Sequence, residues 1–569
     1  MSGFAGLSIA MRALRAAQMS MEVSGHNIAN ANTPGYSRQR VELVESLPDL
    51  TPWGVKGTGV EVSRIARVRE EYLDLQLRNE TKLLGQWEEI EKFLSRLELY
   101  FNEPSDEGLN NLMSEFWARW QDLSLTPEEQ TSRSNLLQQS DVLANAFNTL
   151  YDKMQDLRYD ADEAIKSYIQ EINSLAQNIA SLNKQIRFYE VGDAVANDLR
   201  DQRDEMLREL SELIDFNSEE QPDGTILVSI GGVNLVNKVF TEEMSYRFNE
   251  EGHIVPIWKT NNAPVEIKAG KLKGVLDARD NKIPTYISRI NEIARAIISE
   301  VNKQHSKGWG LEAFSSLRSA YSISDTGEEI SSSDSGLTFY NVVNDGDFVI
   351  TVNDDSGNTV STDTVNIVTG AGGTTTDDIV STIGSDFTSG ISHLRAYVDS
   401  DGYLNIEAEA GYRFFINQDT SGALAALGLN TFFKGEDAGT IAVNDPIVEN
   451  VKFIAASSSG EIGDGNNAVE IAQLKDATLM DNESATIYDY YASTLGVLGV
   501  DKKESENLKK GQEVLITHIK NSIEDVSGVS LDEEAMNLLK FQHSYQAAAR
   551  FLGVIDEMLD TLINEVGRR

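Results

Sequence analysis

The sequence of 569 residues contains no cysteine, and this absence excludes several kinds of chemistry. A disulfide framework, a thiolate zinc site, an iron–sulfur cluster and a cysteine nucleophile all depend on cysteine. Apolar runs are also short, and none approaches the roughly 18 residues that a membrane-spanning helix needs. Arg12 and Arg15 interrupt the only candidate for an apolar signal core. We therefore expect no membrane insertion and no cleaved secretory signal peptide.

Basic residues are scarce, with 49 Lys and Arg against 90 Asp and Glu and a formal net charge of −41. Binding to nucleic acid needs cationic contacts with phosphate, so nucleic acid is not an expected partner. The charge is uneven along the chain. Residues 1–41 hold four basic residues and one acidic residue, whereas residues 316–452 hold five basic and 21 acidic residues. This asymmetry indicates segments with different surroundings.

Recognisable catalytic and cofactor motifs are missing from the sequence. The six histidines are scattered, and no metalloprotease pair, nucleophile elbow, phosphate-binding loop or dinucleotide fingerprint occurs. The acidic loops at Asp345 and Asp399 lack the ligand order of an EF-hand. Asp204, Glu205, Glu209 and Glu212 lie on a strongly charged predicted helix, and we interpret them as a solvated face rather than as paired catalytic acids. We expect no enzymatic activity, no cofactor and no metal site.

Both ends of the chain carry apolar residues at the spacing of a coiled coil. At the N-terminus Leu7, Leu14, Met21 and Ile28 recur every seven residues, and Met11 completes the pattern. The C-terminal stripe consists of Leu538, Phe541, Tyr545, Ala548, Leu552, Ile555, Leu559, Leu562 and Val566. Such a helix is not stable alone in water, because nothing covers its apolar stripe. We expect the two ends to pair with each other, with copies of themselves, or both.

Between the ends, helical periodicity alternates with two β regions. Helices are predicted at about 66–101, 109–124, 130–150, 197–214, 283–304, 466–475 and 482–526, with a further helix of about 40 residues around Ile165 and Ile186. Short strands are predicted within 215–282, after the turn at Asp223 and Gly224, and within 316–455. The predicted class is α+β multidomain, with long terminal coiled-coil helices, an elongated helical-bundle core with small β elements and an inserted all-β domain.

The order of these segments predicts a nested organisation rather than a row of domains. We expect residues 1–60 to join 525–569 in a terminal coiled-coil domain. Residues 61–315 would join 456–524 in an elongated helical core with a β subregion near 215–282. The acidic β region 316–455 would project outward as an insertion.

Residues 24–36 read S-G-H-N-I-A-N-A-N-T-P-G-Y and are unusually rich in asparagine. Asparagine side chains bond to nearby backbone and weaken the continuation of a helix. Pro34 and Gly35 occupy the two central positions of a predicted type II turn. Helix termination explains the proline and the glycine but not three spaced asparagines, so we expect some amides to serve packing against other chains.

This segment resembles the S-x-N-I-A-N-x-N-T-x-G-[YF] signature of bacterial flagellar rod, hook and hook-associated proteins. Further segments resemble the FlgK type of hook-associated protein, at 36–39, 101–105, 120–123, 197–204, 301–305, 463–468, 526–534, 545–550 and 555–559. The resemblance covers about 1–315 and 456–569, departs from the expected aspartate at Gly310, and fails over 316–455, where the family is variable.

The resemblance implies a structural adaptor at the hook–filament junction, which polymerises through its terminal helices and is required for filament attachment. Its implied partners are further copies of itself, the flagellar hook protein and hook-associated protein 3 of the FlgL type. It also implies export by the flagellar type III system to an extracellular location, with a FlgN-type chaperone on the C-terminal helix. The terminal domain would then form the inner tube.

The candidate assembly residues lie at both ends of the chain. On the N-terminal side they are Leu7, Met11, Leu14, Met21, Asn27, Ile28, Asn30, Asn32, Pro34, Gly35 and Tyr36. On the C-terminal side the stripe from Leu538 to Val566 would serve both assembly and chaperone binding. Two alternatives stay open: another axial protein, such as hook or distal rod, and a junction protein whose insertion adds adhesin or glycan binding.

Overall fold

The computed structural model describes residues 2–51, 54–191 and 194–561, and it combines long helices with small antiparallel sheets. The predicted α+β class is confirmed. The helices are α1 (Ser2–Asn30), α2 (Glu71–Phe101), α3 (Leu109–Leu125), α4 (Gln130–Tyr189), α5 (Asn197–Leu213), α6 (Lys271–Asp277), α7 (Ile283–His305), α8 (Thr376–Ile383), α9 (Ala423–Leu427), α10 (Asp445–Glu449), α11 (Asn466–Gln473), α12 (Ile487–Ser527) and α13 (Leu531–Asp560).

The strands form hairpins and small sheets. They are β1 (Gln39–Glu45), β2 (Asp49–Thr51), β3 (Gly54–Lys56), β4 (Val60–Arg67), β5 (Asn217–Glu220), β6 (Ile226–Ile230), β7 (Val233–Asn237), β8 (Phe240–Thr241), β9 (Met244–Phe248), β10 (Ile254–Trp258), β11 (Ser316–Ser322), β12 (Gly346–Asp354), β13 (Thr359–Ile367), β14 (Leu394–Val398), β15 (Tyr403–Ala408), β16 (Tyr412–Asn417), β17 (Phe433–Lys434), β18 (Ala442–Val443), β19 (Thr478–Met480) and β20 (Ala485–Thr486).

The chain divides into two compact units. The terminal unit comprises Met1–Phe93, Tyr159–Arg279 and Lys503–Arg569, and the central unit comprises Leu94–Arg158 and Asp280–Lys502. Helices α2, α4 and α12 contribute residues to both units. The sequence-based domain boundaries divide the chain more finely than this and stay predictions.

Helix α4 forms much of the core of the terminal unit. Its residues Ile165, Ile172, Ile179 and Ile186 are fully buried, at the heptad spacing that the sequence shows. The sequence predicted one helix at about 130–150 and a separate one further on, whereas α4 is a single helix of 60 residues. The segment contains no glycine or proline, so nothing in the backbone ends the helix between the two patterns.

Beside α4, the terminal unit carries a four-stranded sheet in the order β5-β6-β7-β8 and the hairpin of β9 and β10. The predicted turn before β6 is confirmed, because the amide of Gly224 donates to the carbonyl of Gln221 at 3.0 Å. Gly224 has a φ of +78°, a conformation that glycine adopts without steric cost.

The central unit holds the acidic β region. Two three-stranded antiparallel sheets have the orders β11-β15-β14 and β13-β12-β16. The strands predicted from the apolar runs near Phe348 and Val365 are confirmed as β12 and β13. Their connecting turn closes through the amide of Asp354, which donates to the carbonyl of Asn358 at 2.9 Å.

The C-terminal end of α7 fastens two loops of the central unit. Nδ1 of the fully buried His305 lies 2.8 Å from the carbonyl of Asn430, and its Nε2 accepts from the amide of Ala455 at 2.9 Å. One turn earlier, the side chain of Asn302 bonds the carbonyl and amide of Phe433 at 2.9 and 2.8 Å. The segment 301–305 is therefore a structural clamp.

We predict that His305 makes the central unit sensitive to acid. Burial lowers the pKa of His305 from an ordinary 6.5 to about 4, so the folded chain holds the ring neutral where the unfolded chain protonates it. The free energy of unfolding is not reduced by this residue above pH 6.5. As the pH falls toward 4 it decreases by up to about 3 kcal/mol, because only the unfolded chain binds the proton. Urea unfolding midpoints of the chain between pH 4 and 7.5 measure this loss. His305→Gln should flatten that dependence, and an unchanged slope in the variant would contradict the assignment.

Candidate assembly interface

Helices α1 and α13 pack against each other in antiparallel directions. Near the start of α1, a β-carbon at Gly6 would lie 3.0 Å from Cδ1 of Ile555, so the two helices approach closely there. Beyond the other end of α1, Arg38 contacts Glu533 and Glu534 at the start of α13. The two ends of the chain thus pair with each other. This is one of the alternatives that the heptad pattern left open.

The most buried face of α1 is made of small side chains. Ala10, Ala17, Ser20, Ser24 and Asn27 are all buried and recur every three, four or seven residues. Small residues at a helix contact allow a short distance between the helix axes. This face is used within the chain.

The larger apolar residues of α1 lie beside the small-residue face. Leu7, Leu14 and Met21 are half-buried, whereas the side chains of Met11 and Ile28 are 42% and 36% exposed. The sequence placed all five in a single seam. In the structure they form a second surface, and part of it stays open to solvent.

Helix α13 likewise presents two apolar surfaces. Of the predicted stripe, Ile555 is buried, Leu538, Phe541, Ala548, Leu552 and Leu559 are half-buried, and Tyr545 is exposed. Leu562 and Val566 lie outside the described residues. A second set, which we call the open stripe, consists of Met536, Leu539, Phe551, Val554 and Met558. Each of its members is between 47% and 65% exposed. The heptad pattern of the sequence did not predict this second stripe.

The amide-rich segment after α1 forms the predicted turn. The amide of Tyr36 donates to the carbonyl of Thr33 at 3.2 Å, and Gly35 has a φ of +77°, as a type II turn requires. Asn32, Pro34 and Gly35 are exposed. They are therefore available to a partner, as expected for part of this segment.

Asn27 serves the chain itself rather than a partner. Its Nδ2 donates to the carbonyl of Gln39 at 2.9 Å, and its Oδ1 accepts from the amide of Gln39 and from the Tyr36 hydroxyl. Asn30 is also used internally, since its Nδ2 donates to the carbonyl of His26 at 3.0 Å. Burial and the nearby carboxylates of Asp198 and Asp201 raise the pKa of Tyr36, so its hydroxyl keeps the proton that it donates.

Helix α5 holds the chain that follows the turn. Asp201, which is buried, accepts from the amide and the hydroxyl of Ser37 at 2.9 and 2.8 Å. Asp198 accepts from Nε2 of Gln39 at 2.7 Å, and Asn197 donates to the carbonyl of Ile65 at 2.9 Å. The segment 197–204 is thus a polar anchor for the strands that follow α1.

Two arginines close this anchor. Arg67 donates to Asp201 and Asp204, both at 2.8 Å, and Arg69 lies 3.0 Å from Asp204. Burial alone would raise the pKa of Asp204, but the two guanidinium groups lower it below its ordinary value. The sequence suggested that Asp204 lies on a solvated helix face together with Glu209. That interpretation is wrong for Asp204, which belongs to the ion cluster.

A second ionic contact ties the turn to α13. Nε of Arg38 donates to the buried carboxylate of Glu534 at 2.8 Å. The backbone amide of Arg38 donates to the carbonyl of Ser527 at 2.9 Å. The hydroxyl of Ser530 accepts from the amide of Glu533 and caps α13. The segment before α13 thereby fixes where this helix begins.

The described residues, 2–51, 54–191 and 194–561, lack the features of two other kinds of site. In these residues, no group of three or more histidines and acids is placed to hold a metal ion. None of the helices in the same ranges is both long and apolar enough to cross a membrane.

We predict that Asp201→Ala loosens the turn from α5. The change removes the acceptor of the Ser37 amide and one of the two carboxylates that Arg67 contacts. It should lower the free energy of unfolding by about 3 kcal/mol. Urea unfolding and the rate of proteolysis near residues 31–45 measure the effect. Glu209→Ala, on the exposed side of the same helix, is the control and should change stability by less than about 0.5 kcal/mol. Equal losses in both variants would contradict the anchor.

Comparisons with known families agree with this architecture. The profile described as the FlgK helical domain of flagellar hook-associated proteins matches residues 94–315. The profile of the C-terminal region of the flagellar basal body rod proteins FlgE, FlgF and FlgG matches residues 525–565, and that of the flagellar basal body rod protein matches residues 7–36. The last two cover the helices that pair at the ends of the chain.

Relatives match over nearly the whole length. Flagellar hook-associated protein 1 of Bacillus subtilis (strain 168) is 27% identical over 580 residues, covering 100% of this chain and 99% of the relative. The protein of that name from Escherichia coli (strain K12) is 25% identical, covering 98% of each. The flagellar hook junction protein FlgK from Burkholderia pseudomallei has a similar fold, with a TM-score of 0.54 and 14% identity over 79% of this chain and 100% of that one.

These matches support a structural role in the flagellar axis and a location on the flagellum. The family profile and the full-length relatives agree with each other, and the fold agrees with both. Over its full length the chain is similar to flagellar hook-associated protein 1, and over residues 94–315 it matches the FlgK helical-domain profile.

Proposed function

We propose that this chain is the structural adaptor between hook and filament of a bacterial flagellum. It polymerises through α1 and α13 into a ring or tube, between the hook protein and hook-associated protein 3 of the FlgL type. Residues 1–60 and 525–569 form the inner part of this tube, and 316–455 faces outward. The chain leaves the cell through the flagellar type III system and is required for filament attachment.

The observation that carries this proposal is the open stripe of α13. Pairing with α1 covers one apolar face of α13 and leaves Phe551, Val554 and Met558 about half exposed or more. A contiguous exposed apolar surface marks an interaction site in a soluble protein. Met11 and Ile28 of α1 add further exposed apolar area in the same unit. Neighbouring copies would cover both.

The open stripe also supports the proposed chaperone. Before export, a free chain would expose these side chains in the cytoplasm, where apolar surfaces promote aggregation. A FlgN-type chaperone bound to α13 would cover them until the chain reaches the growing structure. The same residues would then bind first the chaperone and later the neighbouring copies.

The proposed function predicts what happens when the chain is lost. In cells that lack it, filaments should fail to attach, and flagellin should appear in the medium while hooks still form. Electron microscopy of the cells and immunoblots of the medium measure this, with the restored gene as control. Normally attached filaments in the deletion strain would refute the junction role.

A further prediction distinguishes the roles of the two faces of α13. Val554→Asp places a charge in the open stripe and should reduce incorporation at least about tenfold, while the pairing with α1 stays intact. Leu552→Asp, on the half-buried face, should in addition make the ends of the free chain sensitive to protease. Gln546→Asp, at an exposed polar position of α13, is the matched control and should swim normally. Normal motility of Val554→Asp would count against the open stripe as an interface.

A further inference from the structure

The exposed methionines of the described residues are confined to the two terminal helices. Met11 of α1 is 42% exposed, and Met536 and Met558 of α13 are 64% and 65% exposed. The other methionines in the described ranges are buried or half-buried: Met19, Met21, Met113, Met154, Met206, Met244 and Met480. An oxidant in solution therefore meets methionine first on the surfaces that we propose for assembly.

Met536 and Met558 lie toward the two ends of the open stripe. They are about six turns apart at 3.6 residues per turn, so both side chains leave α13 on nearly the same side. Leu539 follows Met536 by about one turn, and Phe551 and Val554 precede Met558 by about two turns and one turn. A neighbouring copy that covers the open stripe would therefore bury both sulfur atoms in apolar contacts.

The chain has no cysteine, so its thioether groups are the sulfur groups that an oxidant can reach. A peroxide transfers one oxygen atom to a methionine sulfur. The sulfur lone pair attacks that oxygen, the O–O bond breaks, and the proton of the transferred oxygen passes to the leaving hydroxide. The sulfur is oxidised by two electrons to the sulfoxide, and hydrogen peroxide is reduced to water. Because the peroxide must touch the sulfur, exposed methionines react faster than buried ones.

A sulfoxide on the open stripe would weaken a contact between copies without unfolding the free chain. In the free chain, water hydrates the new oxygen. In the contact, that oxygen would lie among the apolar groups that cover Phe551 and Val554, and burial of a polar group without a hydrogen-bond partner is unfavourable. The pairing of α1 with α13 depends on buried side chains such as Ile555, which this modification does not change.

We propose that Met536 and Met558 are oxidation sites through which a peroxide prevents the free chain from joining the assembly. This inference rests on the proposed polymerisation and adds a covalent modification to the same surface. A chain already in the assembly is protected, because its neighbours cover both sulfur atoms. Methionine sulfoxide reductases reverse the reaction, so the two methionines form a switch rather than a site of permanent damage.

The reactivity of each methionine is measured on the purified full-length chain. After brief exposure to hydrogen peroxide, mass spectrometry of peptides should show Met536 and Met558 oxidised at least about tenfold faster than the buried Met113 and Met154. In isolated flagella that contain the chain, the same two positions should react at least about tenfold more slowly than in the free chain. Rates equal to those of Met113 and Met154, or no protection in flagella, would overturn the inference.

The effect on assembly is measured by binding of the free chain to hooks isolated from cells that lack it, with sedimentation and immunoblots. Oxidation should lower this binding at least about tenfold. A chain with Met536→Leu and Met558→Leu keeps the apolar area and should still bind after the same treatment. Met11→Leu is the matched control, because it removes the third exposed methionine and leaves both proposed sites. It should lose binding as the unsubstituted chain does.

Enzymatic repair provides a further test that needs no substitution. The two methionine sulfoxide reductases, one for each epimer, should restore binding of the oxidised chain, and their thiol reductant has no disulfide to break in this chain. An equal loss in the doubly substituted chain, or no recovery once both sulfoxides are reduced, would overturn the inference and leave the junction role intact. Failure of the untreated chain to bind the hooks would instead refute the junction role, and this inference with it.

Discussion

The rest of the structure depends on one constraint, which is that neither terminal helix can bury its apolar side chains alone. The small-residue face of α1 and the half-buried face of α13 satisfy this constraint together. A chain whose first and last helices must meet has to return to its starting point after more than 500 residues. The terminal unit accordingly takes residues from three separate segments.

Apolar pairing alone would not fix how the two helices align. A stripe that repeats every seven residues can shift by one repeat and still bury similar area. Directional polar contacts remove that freedom. Arg38 reaches the buried Glu534 only in one alignment, and Asp201 accepts both the amide and the hydroxyl of Ser37. Since an unmatched buried charge or amide is costly, these contacts favour a single register.

Local patterns in the sequence predicted most helices to within a few residues, because apolar periodicity and turn residues act over short distances. Helix α7 was expected at 283–304 and spans Ile283–His305, and the turn at Pro34 and Gly35 forms as expected. The faces that helices use were harder to predict. Helix α13 carries two apolar stripes of similar composition, and only contact with α1 decides which one is covered.

The candidate site shows the same limit for charged residues. Asp204 and Glu209 lie on one helix and look alike in the sequence, yet Arg67 and Arg69 draw only the first into an ion cluster. Those arginines are more than 130 residues earlier in the chain, so no local pattern could have distinguished the two acids. The buried Asn27 is a similar case, because its partner Gln39 is brought close by the turn.

The distribution of charge favours contact between copies through the terminal unit. Copies with a net charge of −41 repel each other, but salt screens this repulsion beyond about 8–10 Å. Repulsion is strongest where the acids concentrate, at 316–452, and weakest near residues 1–41, where basic residues outnumber acidic ones. Two copies can therefore approach most easily through their terminal units. The open stripe lies in that unit, so the charge pattern and the apolar pattern favour the same contact.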